Sequence, residues 1–286
     1  MFIKDLLKRK KFTVSFEVFP PKNDKPLDNI YKTIEELKSL NPDFISVTYG
    51  AGGSSRDRTI EIASVVKNQY GIETLAHLTC ITSTKNEISN ILKDLKGNNI
   101  HNVLALRGDI PQDFQNKENL EYKYAKELIK EIRRKNDFGI GAAAYPEGYN
   151  GINSIEEDVK YLKEKVDAGV DFLITQLFFD NKRLYHFKEL LYKHNIKVPV
   201  ITGIMPVTNK NQIDRIVLLS GATVPDALKL IIDKYKDDSE GLKDAGTEYA
   251  ANQVNDLIRN GVEGIHIYTM NKSEIVAKII RNMPKI

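Results

Sequence analysis

Glu17 stands within Phe16-Glu17-Val18-Phe19-Pro20-Pro21, a lone carboxylate on an apolar and aromatic run. Burying such a group unpaired is costly, and burial is expected to push its pKa upward, which would suit it to general acid chemistry. The competing reading is a structural carboxylate paired with an Arg or Lys of a neighbouring strand. Similar apolar runs also end in polar residues. Thr48 and Tyr49 lead into Gly50-Ala51-Gly52-Gly53-Ser54-Ser55, whose glycines would let the backbone approach a planar or phosphorylated ligand. His77, in Ala76-His77-Leu78-Thr79-Cys80, reads either as a core imidazole or as a ligand-binding one. Leu106-Arg107-Gly108-Asp109 sets a cation and an anion on either side of a glycine, able to hold a phosphate and a ring N–H or to neutralise each other. With Tyr145-Pro146-Glu147, Gln176, Phe178, Phe179 and Tyr268, these acids, amides and aromatics suit a flat heterocycle that needs stacking and edge hydrogen bonds.

Missing residue types exclude other chemistries. Cys80 is the only cysteine, so an intramolecular disulfide and a multi-cysteine metal site are both ruled out, and it reads as a small buried hydrophobe. No lysine falls near the C-terminal end of an apolar run, against a Schiff-base aldolase, and no His-x-His pair opens the first, against a metal-dependent hydrolase. Gly203-Ile204-Met205-Pro206 lacks the glycine cluster of a phosphosugar site. A formal charge of +3 from 42 basic and 39 acidic residues is too small and too evenly spread for a nucleic-acid footprint. Met1 to Phe12 carries no secretory apolar stretch, and no run of about 18 apolar residues spans a membrane, so a cytoplasmic location is expected.

Bringing these residues to one place requires a repeated scaffold. Apolar runs of strand length alternate with segments of helical period, the pattern of βα units around a parallel sheet. Eight strands are predicted: 12–19, 44–49, 73–80, 102–108, 139–145, 172–179, 198–205 and 264–270. Thr84 with Glu87, and Ser154 with Glu157, fit capping boxes. Leu120, Tyr124, Leu128 and Ile132, with Ala125 and Ile129 beside them, form the apolar stripe of a helix after the fourth strand, and Gly169 supplies a left-handed turn before the sixth. Eight such units in 286 residues favour one (β/α)8 barrel forming a single domain over residues 1–286. Between strands seven and eight, at least two extra helical patterns, around 225–236 and 242–260, are expected to pack outside the barrel. Catalytic groups of such barrels project from the C-terminal strand ends, where the polar residues above fall.

Phe16-Glu17-Val18-Phe19-Pro20-Pro21, Ser46-Val47-Thr48-Tyr49-Gly50, Ala76-His77-Leu78-Thr79-Cys80, Ala105-Leu106-Arg107-Gly108-Asp109, Ala144-Tyr145-Pro146-Glu147, Thr175-Gln176-Leu177-Phe178-Phe179-Asp180, Gly203-Ile204-Met205-Pro206-Val207 and His266-Ile267-Tyr268-Thr269-Met270-Asn271 resemble, in order, the motifs of the methylenetetrahydrofolate reductase family. The likeness runs from about residue 12 to 275 and covers only that family's catalytic barrel. It implies a noncovalent FAD at the barrel mouth, held by Thr48, His77, Leu106, Arg107, Gly108, Asp109, Tyr124, Ala125, Ala143, Tyr145, Asp158 and Lys165. Without the resemblance, Lys165 would read as an exposed helix lysine. Glu17 then looks like the acid that protonates the folate N5, Asp109 like a contact to the pterin that also tunes the flavin, and Gln176 like a pterin hydrogen-bond partner. NADH or NADPH and methylenetetrahydrofolate would use one face in turn, giving ping-pong kinetics. Two positions depart from the family pattern. Tyr149 stands where some members have a histidine. Lys272, placed to bind substrate, follows Asn271 where an arginine is frequent, and a point charge cannot grip a carboxylate bidentately. Competing readings are a (β/α)8 folate lyase or transferase without flavin, and a noncatalytic partner subunit. A homo-oligomer is also admitted.

Overall fold

β1 (Thr13–Val18) alternates polar and apolar residues at period two, so Thr13, Ser15 and Glu17 leave one face while Phe16 and Val18 leave the other. The computed structural model describes residues 1–21, 25–49, 56–111, 114, 119–135, 137–149 and 154–284, and in it this alternation divides the inside of a barrel from its outside. β2 (Phe44–Val47), β3 (Glu73–Thr79), β4 (Asn102–Leu106), β5 (Gly139–Ala144), β6 (Phe172–Thr175), β7 (Val200–Ile204) and β8 (Gly264–Tyr268) follow, and all eight close in sequence order into a parallel barrel. The strand register sets Glu17 level with Ser46 and Tyr268, and Ser15 level with Phe44 and His266. The glycine-rich segment 50–55 lies outside the described residues.

Outward side chains meet the helices. Phe16, Val18, Ile45 and Val47 join Ile30, Ile34 and Leu37 of α2 (Asp28–Lys38) and Ile62 and Val66 of α3 (Arg56–Asn68) in one continuous core. α4 (Lys85–Gly97), α5 (Ala125–Lys135), α6 (Ile155–Asp167) and α7 (Asn181–Lys193) continue that layer with Ile88, Leu128, Val159 and Phe187. The Thr84–Glu87 capping box has both of its arms, while at Ser154 the hydroxyl accepts from the Glu157 N–H. Gly169 has φ +118°, as its place after a helix end predicts.

The inside is filled from below. A short helix, α1 (Ile3–Arg9), inserts Ile3 beneath Phe44, Leu75, Leu104, Phe172, Ile174 and Ile201. The Asn102 Oδ1 accepts from the Ile3 N–H at 2.8 Å, fixing this floor to β4. The large Phe172 ring is accommodated because residue 141 is glycine: a Cβ there would lie 2.7 Å from it. Glu17 and His77 lie toward the C-terminal ends of their strands, while the buried polar Thr13, Glu73 and Asn102 belong to the N-terminal ends.

Two expectations change. The stripe after β4 is shorter than its period suggests: α5 begins at Ala125, so Leu120 and Tyr124 precede the helix, and Tyr122 is the buried aromatic, its hydroxyl donating to Glu131. Strands are shorter than the apolar runs, most clearly β6, because Gln176 to Phe179 turn out of the sheet toward α7. Between β7 and β8 lie three helices, α8 (Lys210–Ser220), α9 (Asp226–Lys234) and α10 (Ser239–Arg259), the last two where the extra helical patterns were expected. They enclose a second apolar cluster of Leu177, Phe179, Met205, Val207, Ile213, Ala222, Leu228 and Leu242, which ties them to the ends of β6 and β7. α11 (Ser273–Arg281) completes the chain's elements.

Candidate active site

Glu17 sits at the C-terminal end of β1, with its carbonyl held by the Thr269 hydroxyl at 2.6 Å and the Thr269 N–H at 3.3 Å. One residue pair further up, the Asn271 amide donates to the Phe19 carbonyl at 2.8 Å and accepts from the Phe19 N–H at 2.9 Å, extending the β1–β8 pairing through a side chain. Met270 and Asn271 both take left-handed φ, 48° and 57°, and that tight turn delivers the amide to Phe19. The backbone beneath Glu17 is thus fixed from β8.

Its carboxylate lies in a polar pocket inside the barrel. Oε2 accepts from the Ser46 hydroxyl at 3.2 Å and lies 3.4 Å from His266 Nε2. His77 Nε2 is 3.2 Å from the same oxygen but off the line of a hydrogen bond, and this buried nitrogen has no other hydrogen-bond partner. Burial alone would raise the pKa, but the nearby His77 imidazole and the charge and hydrogen bond of His266 outweigh it and hold the carboxyl down at about 2. This corrects the expectation of a raised pKa, which counted desolvation and no imidazoles. The alternative of an Arg or Lys partner is corrected as well, since the partners are two histidines and a serine. Tyr268 caps the pocket and donates to the Thr175 carbonyl at 2.7 Å; burial, then the Glu17 charge, raises its phenol well above the ordinary range.

Around this pocket the other predicted residues fall into separate groups. Gln176 follows β6, its N–H donating to the Ala144 carbonyl at 2.7 Å and its Oε1 accepting from the Leu177 N–H at 2.9 Å, which leaves the amide NH₂ without a hydrogen bond among the described residues. Thr48 continues β2, its N–H on the Val18 carbonyl at 3.1 Å. Leu106 lines the upper interior. Gly108 has φ +81° and a Cβ there would be 2.9 Å from that of Thr79, so a side chain is excluded on both counts. Arg107 turns away from Asp109: its Nε donates to the Lys123 carbonyl at 2.9 Å, next to the exposed Tyr124 and the start of α5 at Ala125. Asp109 is exposed beyond β4, near enough for its charge to contribute to the raised pKa of Tyr145.

A third group lies between β5 and α6. Lys165 Nζ donates to the Ala143 carbonyl at 2.7 Å and lies 5.7 Å from the centre of the Tyr145 ring. Burial lowers its pKa to about 8, opposed by Asp158, whose own carboxyl burial raises to about 6. Lys165 is therefore not an exposed helix lysine. Tyr149 meets Tyr145 edge-on at 4.9 Å, and Lys272 Nζ donates to the hydroxyl of Thr208, in the β7–α8 connection, at 2.9 Å.

Ser15, Ser46 and His266 are absent from the expected site residues, although the signal was there. Thr13-x-Ser15-x-Glu17 on β1 and His266-x-Tyr268 on β8 are polar at period two, which in a barrel strand means a polar interior face. Among the described residues no cluster of His, Cys, Asp and Glu could hold a metal ion, and no helix is long and apolar enough to cross a membrane.

The profile of the family described as methylenetetrahydrofolate reductase matches residues 2–284. The 5,10-methylenetetrahydrofolate reductase of Escherichia coli K12 is 37% identical over 265 residues, 93% of this chain and 88% of that protein. Methylenetetrahydrofolate reductase (NADH) 1 of Arabidopsis thaliana is 34% identical over 294 residues, covering 98% of this chain and 50% of the longer relative. Among solved structures, an uncharacterized Clostridium thermocellum protein described as binding two copies of 5-methyl-5,6,7,8-tetrahydrofolic acid has the same fold, with a TM-score of 0.67 at 16% identity over 99% of this chain and 98% of that one. A family match over nearly the whole barrel, at such identity to reductases of similar length, makes this chain an oxidoreductase and a member of the methylenetetrahydrofolate reductase family.

Proposed function

We propose that the chain reduces 5,10-methylenetetrahydrofolate to 5-methyltetrahydrofolate with hydride from NADH or NADPH, through FAD, in a ping-pong cycle in which both substrates use one mouth of a single-domain barrel. The observation that carries this reading is the buried, hydrogen-bonded Glu17 beneath that mouth, with Tyr268 beside it, in a chain of this family.

The residues fit a flavin dinucleotide. His77 has a buried ring nitrogen without a hydrogen bond, Lys165 is a partly desolvated cation, and Gly108 makes a left-handed turn at the β4 end packed against Thr79. In this reading Thr48, His77, Leu106 to Asp109, Tyr124, Ala125, Ala143, Tyr145, Asp158 and Lys165 form the cofactor's shell, with Lys165 and Arg107 as its cations toward phosphate. FAD, when bound, supplies two-electron chemistry that accepts hydride from the nicotinamide and passes it to the folate.

The chain's own residues orient the reactants and move one proton. Gln176 offers its free amide to the pterin edge. Asp109, exposed and anionic at the β4 end, faces the pterin and tunes the cofactor's electronics. Glu17 delivers the proton that the folate N5 needs for the five-membered ring to open to an iminium able to accept hydride. Lys272 offers a point charge to the substrate's carboxylates. The test is anaerobic mixing of purified protein first with NADH or NADPH and then with methylenetetrahydrofolate, following flavin absorbance. Bleaching and then recovery is expected; a preparation that bleaches but is not recovered by the folate overturns the reading.

A further inference from the structure

An anionic Glu17 cannot by itself be a store of protons, yet the proposed reaction draws one from its side chain. Beside it lies His266, fully buried and held on every side. Its ring stacks on Phe44 at 5.9 Å between centres and meets Tyr268 edge-on at 5.5 Å. Its Nδ1 lies 2.8 Å from the Ser15 hydroxyl, which also donates to the Ile265 carbonyl at 3.0 Å. A hydroxyl has one proton; spent on the Ile265 carbonyl, it leaves Ser15 a lone pair that accepts an Nδ1–H. The histidine is then locked with hydrogen on Nδ1, and its Nε2 is aimed at Glu17 Oε2 at 3.4 Å and Ser46 Oγ at 3.2 Å. A bare Nε2 lone pair facing a carboxylate would be repulsive. One proton placed between them, as imidazolium with carboxylate or as imidazole with carboxylic acid, satisfies both.

We infer that His266 is a positioning residue for Glu17, the two sharing one proton between Nε2 and Oε2 that Glu17 delivers to a ring nitrogen of the substrate. Ser15 sets the ring's tautomer, and Ser46 bridges the two partners. The other titratable groups facing the pair are His77 from β3 and Tyr268 from β8; Phe44, Ser15 and Ser46 are uncharged. On delivery the Glu17 O–H bond breaks as the substrate N–H bond forms, leaving Nδ1-protonated imidazole beside carboxylate, and the pair regains a proton from solvent before the next turnover. The delivery step rests on the function proposed above, whereas the shared proton of the resting protein does not.

Two arms separate these. In ¹⁵N-histidine spectra at neutral pH, the His266 signal, assigned by its loss in His266→Gln, is expected to show hydrogen on Nδ1 and a hydrogen shared with Glu17 at Nε2, and Glu17→Gln is expected to bare Nε2 alone. A bare Nδ1 in the wild-type protein, or a signal unmoved by Glu17→Gln, overturns the shared proton. In the anaerobic half-reactions, His266→Gln is expected to slow recovery by methylenetetrahydrofolate at least about tenfold at saturation, an effect on kcat rather than KM, with bleaching by nicotinamide within about twofold of wild type. The double variant Glu17→Gln/His266→Gln is expected to be no slower than Glu17→Gln, because both remove one device. Additive losses, or equal losses in both halves, overturn the positioning role. Ser15→Ala, a small truncation that keeps the imidazole, is expected to slow the same half alone, and covers the case in which His266→Gln does not fold. Absence of recovery in the wild-type protein defeats the reductase reading and leaves the spectroscopic arm to decide the proton.

Discussion

At Glu17 two forces of opposite sign meet, desolvation raising the pKa and two imidazoles lowering it, and geometry decides between them: the Ser46 hydroxyl and the rings of His77 and His266 all lie within 3.4 Å of one oxygen. The carboxylate was legible in the sequence because it interrupts an apolar run. Its histidines were not legible as partners, since residues 60 and 249 positions away become neighbours only when β3 and β8 flank β1. Glu17→Gln, near-isosteric but unable to donate, is expected to leave bleaching by nicotinamide near wild type and to slow recovery by methylenetetrahydrofolate by about 10² or more, the usual weight of general acid catalysis. Equal damage to both halves in stopped-flow traces would make Glu17 structural. Lys165 carries a different pH signature. Burial brings its pKa to about 8, so above that pH the free protein loses the charge that a pyrophosphate would restore. FAD affinity measured by fluorescence quenching is therefore expected to fall as pH rises past about 8, approaching tenfold per unit. Lys165→Met is expected to bind more weakly with a flat profile; a flat wild-type profile would detach Lys165 from the cofactor.

Elements were legible where local pattern and tertiary role coincide. All eight strands are where their apolar runs place them, because the outward face of each is buried under helices and much of the inward face is apolar too. The same apolar character blurred the ends: Leu177, Phe178 and Phe179 are as apolar as β6 but serve the cluster under α8 and α9 and the helix layer instead. α1 went unread because its apolar residues gain meaning only from the barrel floor they plug, and Tyr124 was drawn into α5 by a period of four that continues past the helix start. Where elements meet most closely, a glycine keeps them apart. A Cβ on Gly203 would lie 2.3 Å from the Thr175 carbonyl and 2.8 Å from the Tyr268 ring, the contact that seats Tyr268 above Glu17. Gly203→Ala is expected to cost about 1–3 kcal/mol by overpacking, a fall of roughly 2–4 °C in Tm per kcal/mol by calorimetry. Gly97→Ala, at the end of α4 with nothing within 4 Å of the added Cβ, is expected to leave Tm unchanged or slightly higher. Equal Tm values for the two would show that β6 and β7 part without strain.

Across the whole molecule, the two ends of the barrel are built differently. The floor is closed by Ile3 over an apolar layer, and its polar atoms are satisfied by Asn102 and its neighbours. The mouth gathers groups that are costly to leave alone: an unbonded imidazole nitrogen at His77, a partly desolvated ammonium at Lys165 and a raised carboxyl at Asp158. Such an arrangement trades stability of the free protein for complementarity to a ligand, and the trade can be measured by supplying that ligand. The protein is expected to purify yellow. Stripped of FAD it should melt lower, and FAD at about 100 times its Kd should return roughly 2.7 kcal/mol, or about 5–10 °C in Tm. Riboflavin, which lacks the pyrophosphate that Lys165 and Arg107 would meet, should return much less. A folded, colourless preparation whose Tm does not respond to FAD would remove the cofactor from this mouth. The desolvated groups would then have to be the imprint of a ligand without flavin, as in a folate lyase or transferase, and the same calorimetric titration with methylenetetrahydrofolate alone would reveal it.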